Sequence, residues 1–116
     1  SQRMEILEDC NTGIIALSQQ DHQDFQIKRG DLEGVVNFIL KIRKIRCAAL
    51  ITERIGIVKL SLRSKGDFSV QRICKDHFSG GGHFNASGGS SRKPFDQVVQ
   101  TFKDLVQGTY KDELTQ

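Results

Sequence analysis

Cys47-Ala-Ala-Leu-Ile-Thr-Glu-Arg-Ile-Gly-Ile-Val-Lys-Leu-Ser-Leu-Arg-Ser64 places two strands next to each other in the chain. The first six residues, Cys47 to Thr52, are a short apolar run of the kind that forms a buried strand. From Ile55 to Ser64 the pattern changes: Val58, Leu60 and Leu62 alternate with Lys59, Ser61 and Arg63. That period of two marks a strand with unlike faces. With Glu53-Arg54 read as a tight link, the two strands make a hairpin.

The flanks supply the remaining elements. Upstream, Gly-Ile-Ile-Ala-Leu within Asn11 to Ser18 reads as another buried strand, and the polar stretch from Gln19 to Gly30 reads as a connection with room for a helical turn. Asp31 is a good N-cap, behind which Leu32, Val35, Val36, Ile39 and Leu40 recur at helical spacing. This predicts a helix from Asp31 to about Lys44, with Lys41, Arg43 and Lys44 suited to the negative end of its dipole. Downstream of Lys65-Gly66-Asp67, Ser69 can cap a short helix with Val70, Ile73, Cys74 and Phe78 on its apolar side, ending in Gly80-Gly81-Gly82. Ala86 to Ser90 reads as a short strand in which Gly88-Gly89 marks a bend or a close backbone approach. Pro94 then suits a first helical position, and Phe95, Val98, Val99, Phe102, Leu105 and Val106 keep helical spacing up to Gly108. Strands interleaved with helices predict a single α/β domain: a mixed sheet of about four to five strands, flanking helices, and a Gly-rich loop, Gly80-Gly81-Gly82-His83, after the short helix.

Composition narrows the class. The 116 residues suit one domain; 37% are apolar, 27% charged and 7% aromatic, which excludes disorder, collagen and coiled coil. The densest apolar stretch, Cys47 to Ile51, is far shorter than the roughly 20 residues a membrane helix needs, and the first residues lack a signal-peptide core, so a soluble, cytoplasmic protein is expected. Cys10, Cys47 and Cys74 are odd in number and unpaired in spacing, and are expected to be reduced and mostly buried. Asn85-Ala86-Ser87 fits a glycosylation acceptor only by coincidence. The net charge of +3 is unevenly spread: residues 1–40 carry three basic and seven acidic side chains, residues 41–93 twelve and three, and residues 94–116 two and four. A basic middle segment between acidic ends suggests an electropositive face suited to phosphate-bearing ligands, although solvated surface charge explains the count equally well.

The candidate site is Phe78-Ser-Gly-Gly-Gly-His83-Phe-Asn-Ala-Ser-Gly-Gly89. Three consecutive glycines lose much conformational freedom on folding, so they point to unusual dihedrals or close approach to a ligand. Neither GxxxxGK[ST] nor GxGxxG between a strand and a helix is present. Because these glycines follow a helix, whose carboxyl end is electronegative, an anion here would need backbone amides and side-chain cations together. His83 and Arg63 are the candidates, with the Ser64 hydroxyl as a further donor, since Arg63-Ser64-Lys65 ends the alternating strand. The alternative is a helix cap and flexible turn, with Arg63 a surface charge. Cys74, His77 and His83 lack the fourth partner of a zinc site, no nucleophile is paired with a base, and His22 reads as a surface residue.

Ser61-Leu-Arg63-Ser64-Lys65-Gly66, a short helix, and then Gly80-Gly81-Gly82-His83-Phe-Asn85-Ala86-Ser87-Gly88 resemble the C-terminal DHH-associated substrate domain of DHH-family phosphoesterases. Within that family the chain is similar to the bacterial nano-RNase and pAp-phosphatase group, often called exopolyphosphatase-related. The likeness runs from about Gly13 to Val106 and includes Asp31-Leu-Glu-Gly34.

The resemblance implies a separate N-terminal domain that carries an Asp-His-His motif and a pair of divalent metals, usually manganese. Arg63 and Ser64 would contact a substrate phosphate, Gly80, Gly81 and Gly82 would give backbone approach, His83 would bind the phosphate or the neighbouring nucleotide, and Asn85 and Ala86 would shape the loop. Asp-His-His is absent here, the acid-His pairs being Asp21-His22 and Asp76-His77. Residues 1–116 are therefore expected to be an excised substrate-binding domain, inactive alone, with no catalytic residue, metal or cofactor of its own. Its implied partners are a short RNA or DNA oligonucleotide or a pAp-type nucleotide and its own DHH domain; no membrane is implied, and homodimerisation of the full-length protein is left open. Phe84 stands where relatives often place a basic residue. Short RNA, pAp, cyclic-dinucleotide products and single-stranded DNA all remain open as substrates. A second class of function is a non-catalytic RNA-binding module, as in the C-terminal domain of alanyl-tRNA synthetases, which would prefer long RNA with a steep salt dependence. A third is a self-contained dimerisation domain.

Overall fold

The hairpin is the centre of the sheet. The computed structural model describes residues 3–28 and 31–116. In it β3 (Cys47–Arg54) runs antiparallel to β4 (Ile57–Ser64), with Cys47 opposite Ser64 and Arg54 opposite Ile57. The turn is Ile55-Gly56 rather than Glu53-Arg54, because Gly56 takes a φ of +75° that no other residue of the stretch adopts cheaply. Upstream, β1 (Met4–Leu7) pairs antiparallel with β2 (Thr12–Leu17), which lies parallel to β3. On the far side β6 (Ala86–Ser91) pairs with β4, and β5 (Gly81–His83) with β6, both antiparallel. The result is a six-stranded mixed sheet in the order β1-β2-β3-β4-β6-β5. The two strands that no sequence pattern marked are β1, too short and too exposed to show a period, and β5, made mostly of glycine.

Alternation along β3 explains why Cys47 to Ile51 are apolar without a break. Cys47, Ala49 and Ile51 join Val58, Leu60 and Leu62 in a core closed by α3 (Gln71–His77), α4 (Phe95–Asp104) and α5 (Lys111–Leu114). Ala48 and Leu50 join Ile15 and Leu17 on the opposite face, under Val36 and Ile39 of α2 (Leu32–Leu40). A strand covered on both faces has no polar side to show. The Asp31 carboxylate caps α2 by accepting the Gly34 N–H at 3.0 Å. The helix stops at Leu40, short of Lys44, because the chain must turn to bury Ile45, 2% exposed, and enter β3.

Gln19–Lys28 is a helix, α1, and not an irregular connection; residues 29 and 30 of that stretch lie outside the described residues. Its apolar face is almost absent, so periodicity could not reveal it, and its start is held by the Ser18 hydroxyl and the Glu53 carboxylate, which accept the Asp21 and Gln19 N–H groups. His22, read as a surface residue, is buried, and desolvation, followed by the nearby Arg54 charge, lowers its pKa. A lowered folded-state pKa means that the unfolded chain takes up the proton first. The stabilisation from neutral His22 is thus present above roughly pH 6.5 and lost as the pH falls through the lower folded value. In urea unfolding, the midpoint of the wild type should fall more steeply than that of His22→Gln just below that pH; parallel curves would refute this.

The C-terminal segment continues α4 through a π-helical turn, Leu105–Thr109, into α5. Arg72 holds it, lying 5.2 Å and 5.0 Å from the ring centroids of Phe68 and Tyr110 and pairing with Glu113 at 2.7 Å. All three cysteines are free and buried, as expected, and burial pushes the Cys74 thiol up to about 11. Among the described residues no helix is long and apolar enough to cross a membrane.

Candidate functional site

Gly81-Gly82-His83 is a strand and not the expected loop. The three residues pair as Gly81 with Gly88, Gly82 with Ser87 and His83 with Ala86, and Phe84-Asn85 makes the tight turn between β5 and β6. Glycine disfavours strands in isolation, but here the ladder of β6 offers a row of hydrogen-bonding groups to an adjacent segment. Each glycine has a different reason. A Cβ on Gly80 would lie 2.0 Å from the Gly88 carbonyl oxygen, because Phe78-Ser79-Gly80 crosses directly on β6. Gly82 takes a φ of +138°. Gly81 has nothing within 4 Å of its missing side chain, so packing does not demand it.

Strand register lines up the side chains. Arg63, Ala86 and His83 lie opposite one another on β4, β6 and β5 and therefore share a face; so do Ser61, Gly88 and Gly81, and Lys59 with Ser90. This is the face that α2 covers over β2 and β3. Beyond β3 it opens: Lys59, Gly88 and His83 are exposed, and Ser61, Arg63, Ala86 and Ser90 half-buried. At about 4.8 Å between strands, Arg63 and His83 stand roughly 10 Å apart across a floor of alanine and glycine. The Arg63 guanidinium is oriented by two contacts, donating to the Glu33 carboxylate at 2.8 Å and to the Leu62 carbonyl at 3.0 Å.

Ser64 and Asn85 are not on this face. Ser64 is buried on the other side of β4, and its hydroxyl accepts from the Asn85 amide at 2.9 Å. The same amide nitrogen lies 3.2 Å from the Phe68 carbonyl and 3.3 Å from that of Gly66. The Ser64 N–H donates to the Asn85 carbonyl, the Val70 N–H and Ser69 hydroxyl to that of Phe84, and the Gln71 amide to that of Gly82. Together these bonds clamp the β5–β6 turn between the end of β4 and the start of α3. Residues beyond the sequence reading are Glu33, which orients Arg63, and Lys59 and Ser61, which flank it; the last two were legible as the same phase of the alternation.

A metal does not fit here. Among the described residues no three His, Cys, Asp or Glu side chains come together as a metal-binding group. Cys74 is in the core, the His77 ring is hydrogen-bonded to the Tyr110 hydroxyl at 3.0 Å, and His83 stands on the open face.

A family model described as DHHA1 domain matches residues 11–112. The chain belongs to the DHHA1 family. Among solved structures, this DHHA1 domain is similar to an exopolyphosphatase-related protein from Bacteroides fragilis, with 34% identity and a TM-score of 0.86 over 97% of this chain and 33% of that one. The chain thus spans about one third of that protein's length. The C-Ala domain of Aquifex aeolicus alanyl-tRNA synthetase shares the fold, with a TM-score of 0.59 at 11% identity over 92% of this chain and 100% of that domain. So does the pGpG-specific phosphodiesterase PggH of Vibrio cholerae, at 0.57 and 8% identity, covering 90% of this chain and 34% of that one. None of the curated proteins matches the chain.

Proposed function

We propose that this DHHA1 domain is the substrate-holding part of a longer metal-dependent phosphoesterase, binding the phosphate of a short oligonucleotide or a pAp-type nucleotide for hydrolysis by a DHH domain. The observation that carries this is the open sheet face on which Lys59, Arg63 and His83 surround a floor without bulky side chains. Arg63 grips the phosphate through the guanidinium edge that Glu33 leaves free. His83 binds from the other side, Gly81 and Gly82 admit the ligand to the backbone, and Ala86 keeps the floor low. Ser64, Asn85 and Gly80 act beneath them, fixing the turn that presents His83. Phe84, half-exposed at the tip of that turn, offers a ring to one base. The domain then assists hydrolysis by orientation, while divalent metals, manganese in the family reading, belong to the DHH domain. Similarity to an exopolyphosphatase-related protein supports this reading.

An amide NMR titration of the chain with pAp and a diribonucleotide, against a salt-matched control, tests it. Shifts should concentrate at Arg63, Ser64, Gly80 to His83 and Asn85, and the domain alone should show no turnover. Arg63→Ala and His83→Ala should each weaken binding, Arg63→Ala by about tenfold or more, without loss of fold. Unchanged affinity in both variants would overturn the proposal. Preference for long RNA with a steep salt dependence would instead favour the RNA-binding module whose fold the C-Ala domain shares.

A further inference from the structure

Past Arg63 and His83 the open face runs along β6 to the sheet edge, where Ser90 belongs to that face and Ser91, opposite Val58, to the face that α3 covers. β5 covers only Ala86 to Gly88 of β6, so the last residues of β6 form an edge, beside which the chain leaving α3 runs. There a cavity of about 580 Å³ is lined by Ile57, His77, Ser79, Ser91, Arg92 and Lys93, together with Ser90. Its chemistry is that of an anion site: hydroxyls and cations without a single carboxylate. Arg92 is steadied by donating to the Gly56 carbonyl at 3.2 Å, and among the described residues neither it nor Lys93 nor Lys59 has an acidic partner. Lys59 stands opposite Ser90, on the same face as Arg63, just outside the cavity lining. The other large cavity, about 750 Å³ between Ala16 and α4, has Asp21, Glu53 and Asp96 around Lys103 and would repel a phosphate.

We infer that the edge cavity is a second phosphate subsite, which takes a phosphodiester of the same oligonucleotide whose end lies at Arg63 and His83; this rests on the proposed function above. Ala86 and Ser90, four residues apart on one strand, are roughly 13 Å apart at about 3.3 Å per residue. The two phosphates of a single nucleotide are linked through about six bonds near 1.5 Å and reach roughly 7 Å. A mononucleotide bisphosphate therefore cannot fill both positions, whereas a strand with three or more phosphates can. Ser61 and Gly88, at the register midway between, leave the intervening one room over the sheet, while Lys59 stands level with Ser90.

Binding of 5′-phosphorylated oligoadenylates of two and of four residues to the 116-residue chain tests this. The wild type should bind the longer probe about tenfold more tightly at low salt. In the Arg92→Ala/Lys93→Ala variant that advantage should vanish while the dinucleotide affinity is retained, and the salt slope for the longer probe should fall by about one per cation removed. Both residues are exposed, so an unchanged thermal midpoint should verify the fold. A retained length advantage, or an equal loss for both probes, would overturn the subsite. Arg63→Ala separates the two ideas: weakening of both probes upholds the primary site whatever the double variant does, and no weakening of either removes the reading on which the subsite rests.

Discussion

Gly80→Ala should be the most damaging single substitution in the candidate site, with a loss of about 3 kcal/mol or more in unfolding free energy. The reason is purely geometric. The new methyl would lie 2.0 Å from the Gly88 carbonyl oxygen and 2.6 Å from the Gly89 Cα, and both obstacles are backbone within the sheet, so no rotamer change relieves the clash. The crossing is tight from both sides, since a Cβ on Gly89 would lie 2.3 Å from the Phe78 carbonyl oxygen. For a domain whose whole stability is of the order of 5–15 kcal/mol, such a loss is severe. Thermal unfolding should show a drop of about 10 °C or more. Gly81→Ala is the control, because its methyl enters open space on the ligand-facing side: stability should change by less than about 1 kcal/mol, while affinity for pAp falls. Equal stability losses in the two variants would show that the glycine run acts as one structural unit, with no part reserved for a ligand.

Asn85→Ala should cost about 2–3 kcal/mol, chiefly through what it leaves behind. The side-chain amide has two protons for three acceptors, of which the Ser64 hydroxyl and Phe68 carbonyl are nearest, at 2.9 and 3.2 Å. Ser64 is buried and cannot turn to water when its donor is gone. Asn85→Asp should be no better, since it keeps the shape but replaces a donor with a charge facing carbonyl oxygens. Urea unfolding gives the energy, and amide exchange at Val70, whose N–H is bonded to the Phe84 carbonyl, should report loosening of the turn. A loss below about 0.5 kcal/mol would mean that the clamp is carried by the backbone bonds of Ser64 and Val70 alone. Because His83 rides on this turn, ligand affinity should fall in step with its loosening.

These two residues show where sequence reading succeeds and where it stops. The glycine run was legible as special, because three glycines in a folded chain demand an explanation; Asn85 was singled out only through the family resemblance. Their separate reasons were not, since clash, positive φ and open space depend on which backbone lies opposite. Arg63 was likewise found by alternation, but Glu33, thirty residues earlier, meets it only because α2 begins beside the end of β4. Ser64 shows the opposite case: adjacent to Arg63 in sequence, it faces the other side of the sheet, as the pleat requires of neighbours in a strand.

Local pattern was sufficient for the α/β class, the central hairpin, the capped helix α2 and the amphipathic helix α4, because each is encoded by spacing within a few turns or pleats of chain. The edge strands β1 and β5, the burial of His22, the division of the glycines and the open cationic face arose only on folding. They depend on pairing between segments far apart in the chain, where register and crossing, rather than the character of any one stretch, decide which atoms meet.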